Sequence, residues 1–142
     1  ALLVAACFDR DGFARMLEQC LALGLFALVE IFAVEELAHC LPAMEAAGPA
    51  IGDDGSVRLL LGVNCRDLRT LAVAFDRFAA LAPALPQHWP LVAESGVGNA
   101  AEAAAVAAAG YRVALVGSAL MRADDPAALA RELLAAGRAA AA

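Results

Sequence analysis

A few positions in this 142-residue chain combine residue type and spacing in ways that can do chemistry. Glu30 sits inside an otherwise apolar run, FALVEI (26–31). A carboxylate there costs several kcal/mol unless it is paired with a cation or faces a solvated cavity. Two readings stand: a structural ion pair with an arginine, or a carboxylate facing the mouth of a site. Asn64 and Arg66 alternate along an extended segment, so both can point to one side. The amide brings a donor and an acceptor, and the guanidinium brings a planar fork suited to carboxylate or phosphate. The same Asn-Cys-Arg-Asp stretch is equally a capped loop with a local Arg66–Asp67 pair. Glu94-Ser95-Gly96 and Gly117-Ser118 close two further apolar runs. Glycine lets backbone N–H groups approach an anion closely. Ala119-Leu120-Met121 continues from Gly117-Ser118 as a short helix whose N-terminus can face an anion. Two Gly/Ser corners on consecutive runs point to a phosphate cradle; the alternative is a pair of ordinary turns.

Other polar residues fit blander roles. His39 falls mid-helix and His88 in a proline-flanked loop, and neither has a serine or cysteine partner suggesting a triad. Trp89 reads as a packing residue and Asp124-Asp125 as a helix cap. Cys7, Cys20, Cys40 and Cys65 form no CxxC pair, which argues against zinc or a redox dithiol and for reduced, mostly buried thiols.

The elements that must position these residues alternate regularly. Apolar runs of strand type are Ala1–Cys7, Phe26–Ile31, Leu59–Val63, Pro90–Glu94 and Val113–Val116. Between them lie helical patterns: 11–23 stopped by Gly24, 34–47 ended by Gly48-Pro49, 75–81, and 99–109 opened by Asn99 with Glu102 three residues on. A last helix starts at Asp125-Pro126, a cap followed by proline at the first helical position. The strands are continuous rather than alternating, which predicts burial on both faces. Helices between them imply right-handed crossovers and a parallel sheet. Five βα units form either an open doubly wound sheet or part of a (β/α)8 barrel; a whole barrel needs roughly 200–250 residues. No linker is visible, and the one loop-like insertion is GPAIGDDGS (48–56).

Composition narrows the function classes. The formal net charge is −6, all ten basic residues are arginine, and these are interleaved with acids, so no nucleic-acid-binding patch is expected. Thirty-nine residues are alanine, so the large apolar set is smaller than the 63% hydrophobic fraction suggests. The longest apolar runs fall well short of the roughly 20 residues that span a membrane. A cytoplasmic enzyme or binding module is the expectation.

The segments LVEI (28–31), LGVNCRDLRT (61–70), VAESGV (92–97) and VALVGSALMRADDP (113–126) resemble the C-terminal part of indole-3-glycerol-phosphate synthase. The resemblance implies one partial TIM-barrel domain over 1–142, an α/β fold of parallel (β/α) units holding family strands four to eight. It implies a carboxy-lyase of tryptophan biosynthesis that converts 1-(2-carboxyphenylamino)-1-deoxyribulose 5-phosphate to indole-3-glycerol phosphate, CO2 and water. No metal or organic cofactor is implied. Glu30 would be the glutamate that stabilises positive charge on the ring nitrogen and iminium. Asn64 and Ser95 would position the substrate, with Arg66 and Glu94 beside them. Backbone at Gly96, Gly117 and Ser118 would hold the phosphate.

The family's first three strands carry a general-acid lysine, a second lysine near the phosphate and another essential glutamate. This chain contains no lysine, and arginine is a poor proton donor at neutral pH. The expectation is therefore a piece of a barrel, inactive alone, whose partner is the missing N-terminal half. The alternatives are a phosphate-binding half-barrel that self-associates, or another phosphate-dependent barrel enzyme.

Overall fold

The computed structural model describes residues 1–67 and 70–141, so Leu68, Arg69 and Ala142 lie outside the described residues. The chain forms two compact units, one of residues 1–63 and 86–90, the other of residues 64–85 and 91–142.

In the first unit, β1 (Leu2–Val4), β2 (Ala27–Ile31) and β3 (Leu59–Asn64, its last residue assigned to the second unit) alternate with α1 (Arg10–Ala22) and α2 (Leu37–Ala46). Asp9 caps α1 by accepting the Gly12 N–H at 2.7 Å, and the helix buries Phe13, Leu17 and Cys20. Gly24, at φ 72°, supplies the left-handed step after it.

Two elements are shorter than the apolar pattern predicts. Ala5–Cys7 leaves the first strand as a 3-10 turn, closed by the Phe8 N–H donating to the Ala5 carbonyl at 3.2 Å. Alanine is a poor strand former, so the short local bond competes well with the ladder. The helix expected from residue 34 starts with a 3-10 turn over Val34–Glu36, where the Glu36 carboxylate accepts the Phe32 N–H at 2.9 Å. Pro42 lies inside α2 and cannot donate to the Ala38 carbonyl. The Arg10 guanidinium takes up that carbonyl at 3.0 Å.

The strands run parallel with Leu3 level with Val29 and Leu61, and Val4 level with Glu30 and Gly62. Leu3, Val29, Ile31, Leu59, Leu61 and Val63 are all buried. The other face is more open: Leu2 is exposed, Val4, Leu28 and Leu60 are half-buried, and this face carries Glu30. The continuous apolar runs therefore do not mark equal burial on both faces. Helices seal one face of these strands, and apolar side chains on the other are only partly covered.

The second unit holds α3 (Arg77–Leu81), β4 (Leu91–Glu94), α4 (Ala100–Ala108), β5 (Val113–Leu115), α5 (Ser118–Arg122) and α6 (Pro126–Ala140). Its aromatic core stacks Phe78 edge-on against Phe75 and Tyr111, with centroids 5.4 and 5.1 Å apart, and the Tyr111 hydroxyl donates to the Phe78 carbonyl at 3.2 Å. Asn99 and Asp125 cap α4 and α6 by accepting the N–H groups of Glu102 and Ala128 at 3.0 and 2.8 Å. Helices α4 and α6 pack together. β4 and β5 pair in parallel, with Glu94 level with Leu115. β5 departs from the expected burial: all three of its residues are exposed. Among the described residues β5 pairs with β4 alone, so its outer edge and part of its faces remain uncovered.

Among the described residues, no helix is long and apolar enough to cross a membrane.

Candidate functional site

The corner after β4 is built from two successive left-handed residues. Ser95 has φ 68° and Gly96 φ 82°. Glycine takes such a φ freely, whereas serine there is uncommon and mildly strained. Gly96 is required for space as well: a Cβ on it would meet Val73 Cγ1 at 2.8 Å and Phe75 Cδ2 at 3.5 Å.

Val73 reaches that position through the hairpin after β3. Arg66 and Val73 form an antiparallel bridge, the Asp67 N–H donates to the Ala72 carbonyl and the Ala74 N–H to the Cys65 carbonyl, both at 2.9 Å. The Arg66 guanidinium donates to the Leu71 carbonyl at 3.1 Å, and the Asn64 side-chain oxygen accepts the Arg66 N–H at 2.9 Å. The Cys65 N–H donates to the Glu94 carbonyl at 3.0 Å, which ties the hairpin to the end of β4. The capped-loop reading of this stretch therefore describes its backbone. Asp67 uses a side-chain oxygen to accept the Thr70 N–H at 2.9 Å.

The corner after β5 leads directly into α5, with Gly117 in the cap position and Ser118 as the first helical residue. The space beside Gly117 is open: a Cβ there would meet nothing within 4 Å. The two corners approach one another at Gly98, whose added Cβ would lie 3.3 Å from Ala119 Cβ. Glu102, in the first turn of α4, accepts the Gly98 N–H at 2.7 Å. The sequence pattern predicts a capping box, in which that carboxylate would reach the Asn99 N–H. It reaches one residue further back and braces the corner as well as the helix.

A cavity of about 590 Å³ lies between the two corners, lined by Arg66, Ser95, Gly96, Gly117, Ser118 and Arg122, with Glu102 and the backbone of Gly98 at its side. Its volume suits a small organic ligand. Two guanidinium groups, one hydroxyl pair and two glycine corners make it suited to an oxyanion.

Five of the eight predicted site residues thus line one cavity: Arg66, Ser95, Gly96, Gly117 and Ser118. Asn64, at the end of β3, and Glu94, just before the corner after β4, are buried, at 7% and 2% exposure. Glu30 belongs to the first unit, near the C-terminal end of β2. It is only 5% exposed, and among the described residues no arginine pairs with it. Among the described residues, the ion-pair reading of Glu30 is therefore not realised. Cys65 is buried between Asn64 and Arg66, and burial pushes its thiol up to about 11 against the opposing pull of the Arg77 charge. It is a neutral packing group. Burial likewise raises the Tyr111 phenol. Cys20 and Cys40 are buried too, and Cys7 is exposed.

Three contributors escaped the sequence reading. Val73 carries no chemical signal, because its role is steric. Glu102 was legible as a helix cap but not as a brace for Gly98. Arg122 stands four residues after Ser118, a spacing that places both on one face of a helix.

Comparison with known proteins converges on one family. The profile described as indole-3-glycerol phosphate synthase matches residues 1–133. Proteins named indole-3-glycerol phosphate synthase from Kineococcus radiotolerans and Mycobacterium tuberculosis are 37% and 38% identical over 136 residues. Those alignments cover 96% of this chain and 45% of each relative, so the chain spans about half the length of the curated relatives it matches. Among solved structures, a 3-hexulose-6-phosphate synthase superposes with a TM-score of 0.66 at 23% identity, over 95% of this chain and 60% of that one. A structure titled "Native KDPGal structure" gives a TM-score of 0.61 at 21% identity, over 98% of this chain and 59% of that one. At such identities the superpositions establish the fold, an α/β arrangement of parallel (β/α) units corresponding to the C-terminal five strands of a TIM (β/α)8 barrel. From strands, corners and profile together, the chain belongs to the indole-3-glycerol phosphate synthase family.

Proposed function

We propose that the chain supplies the C-terminal strands, and with them much of the active site, of a carboxy-lyase that closes the indole ring of indole-3-glycerol phosphate. The substrate in this reading is 1-(2-carboxyphenylamino)-1-deoxyribulose 5-phosphate, lost groups leaving as CO2 and water, in tryptophan biosynthesis in the cytoplasm. Its phosphate lies in the cavity between the Gly96 and Gly117-Ser118 corners, where backbone N–H groups and Arg66 meet the negative charge. Ser95 and Asn64 position the sugar and the ring nitrogen, and Glu94 supports that end of the site. Glu30 stabilises the cation that develops on the ring nitrogen and the iminium.

The observation that carries this reading is Glu30: a carboxylate 5% exposed with no ion pair among the described residues. A carboxylate set in an apolar strand without a protein partner is more readily explained by a ligand it meets than by a role in holding the fold. A developing cation in the substrate supplies such a partner. The chain contains no lysine, so the general acid of ring closure comes from outside these residues.

The test is co-expression with the N-terminal half of the Kineococcus radiotolerans relative, followed by a fluorescence assay for the indole product. Turnover is expected from the reconstituted pair, no turnover from the 142 residues alone, and at least a hundredfold loss in the Glu30→Gln pair. A well-folded pair without turnover refutes the reading. The exposed β5 gives a second reading some support, in which the uncovered strand is closed by another copy of the chain. Sedimentation distinguishes them: self-association predicts a dimer of the chain alone.

A further inference from the structure

We infer that the hairpin at residues 50–58 is a self-association edge, along which two copies of this chain pair antiparallel about a twofold axis at Ile51. The hairpin lies within the first unit and takes no part in the site between the glycine corners, so the inference stands apart from the phosphate reading.

Hydrogen-bond accounting identifies the edge. The Gly52 N–H donates to the Ser56 carbonyl at 2.8 Å, and the Arg58 N–H donates to the Ala50 carbonyl at 2.7 Å. Ile51 bridges Val57 between those two bonds. Successive residues of a strand turn their backbone groups to opposite edges, so Ile51 points its N–H and carbonyl away from the hairpin. Among the described residues, neither group has a partner. An edge residue with both groups open is a template for another strand. Pro49 lacks the N–H that would lengthen such a ladder, so the contact is short and centred on Ile51.

The side chains around that edge fit a second copy of the chain. A Cβ on Gly52 would meet Asp54 Oδ1 at 3.0 Å, Ser56 Oγ at 3.1 Å and Arg58 Cδ at 3.4 Å, which puts these three on one face of the hairpin. Ile51 and Val57 take the other face, and both are exposed. The register that sets Ala27 level with Leu59 brings Leu25, also exposed, level with Val57. One side of the open edge is therefore apolar, and the other is charged. A twofold axis at Ile51 sets Asp54 opposite the partner's Gly48. The Arg58 guanidinium lies beside Gly48 of its own chain, with Nη1 3.6 Å from where a Cβ would stand. Asp54 thus meets the partner's Arg58, and the symmetry forms that pair twice. Within one chain the two charges stay apart. The Asp54 carboxylate accepts the Ser56 N–H at 2.9 Å, and among the described residues no carboxylate engages Arg58. A second copy supplies this matched spacing of opposite charges by symmetry.

The test is sedimentation velocity on the 142-residue chain from about 10 µM to 1 mM, a range suited to a small interface. The wild type is expected to pass from monomer to dimer across it. Ile51→Pro removes the outward N–H and leaves both hairpin bonds in place; it is expected to weaken association at least tenfold with an unchanged circular dichroism spectrum. Arg58→Glu is expected to weaken it about threefold to tenfold. An equimolar mixture of the Arg58→Glu and Asp54→Arg chains is expected to restore it, because each contact then joins opposite charges. Leu115→Lys, which alters the exposed β5, is expected to leave the dimer intact. A chain that stays monomeric throughout overturns the inference. So does a dimer that survives Ile51→Pro and is lost in Leu115→Lys, which assigns association to β5 instead.

Discussion

Replacing Gly96 by alanine isolates the steric logic of the corner after β4. Gly96 sits at φ 82°, and a Cβ on it would come within 2.8 Å of Val73 Cγ1 and 3.5 Å of Phe75 Cδ2. The left-handed backbone alone costs a non-glycine residue about 1–2 kcal/mol. Contact with Val73, a stiff β-branched side chain that is 40% exposed and can partly give way, adds about 1 kcal/mol. Gly96→Ala is therefore expected to destabilise by about 2–3 kcal/mol, a large share of the 5–15 kcal/mol typical of a domain. Gly24 provides the matched control: its φ is 72°, yet nothing lies within 4 Å of a Cβ placed there. Gly24→Ala should show the backbone cost alone. Urea unfolding with fitted midpoints and slopes measures both variants. Adding Val73→Ala to Gly96→Ala should recover the overpacking share, and the double-mutant cycle reports the coupling. If Gly96→Ala is no more destabilising than Gly24→Ala, or if Val73→Ala rescues nothing, Val73 does not press on Gly96 and the reasoning fails.

Three further outcomes follow from the geometry. Gly117→Ala should leave stability within about 1 kcal/mol, since nothing lies within 4 Å of the new Cβ, yet weaken phosphate binding by crowding the cradle; unfolding and phosphate titration measured side by side check this. Asp125→Ala should destabilise by about 1 kcal/mol in thermal or urea unfolding, through loss of the 2.8 Å cap to the Ala128 N–H. Burial holds the Cys40 and Cys65 thiols near 11 rather than 9, so at pH 8 about one in a thousand of each is thiolate, and iodoacetamide should label exposed Cys7 well before either. Because the unfolded chain releases those protons first, their contribution to stability is complete below pH 9 and is lost as pH rises towards 11, which unfolding midpoints across that range would register.

Much of this architecture could be read from residue order. Short apolar runs, glycine stops and the caps at Asn99 and Asp125 located the alternating strands and helices, because those signals are local and each has one dominant physical cause. The glycine corners were visible for the same reason. What escaped was non-local. The seating of Val73 on Gly96 joins positions 23 apart in the chain, and no periodicity announces it. The retreat of Ala5–Cys7 into a 3-10 turn reflects competition between a strand ladder and one local bond. The uneven burial of the strand faces depends on what lies above each face, which a run of apolar letters cannot express. Glu102 was recognised by its distance from Asn99, but its reach to Gly98 depends on the shape of the corner.

The parallel register of the first three strands has a consequence for how such a protein can change over generations. Leu3, Val29 and Leu61 hold the structure together from one side, while Glu30 and Gly62 stand on the other, half a turn of the backbone away. Substitutions on the face that carries Glu30 therefore leave the cohesive layer of the first unit untouched, and that face can vary one side chain at a time without the scaffold having to be reinvented.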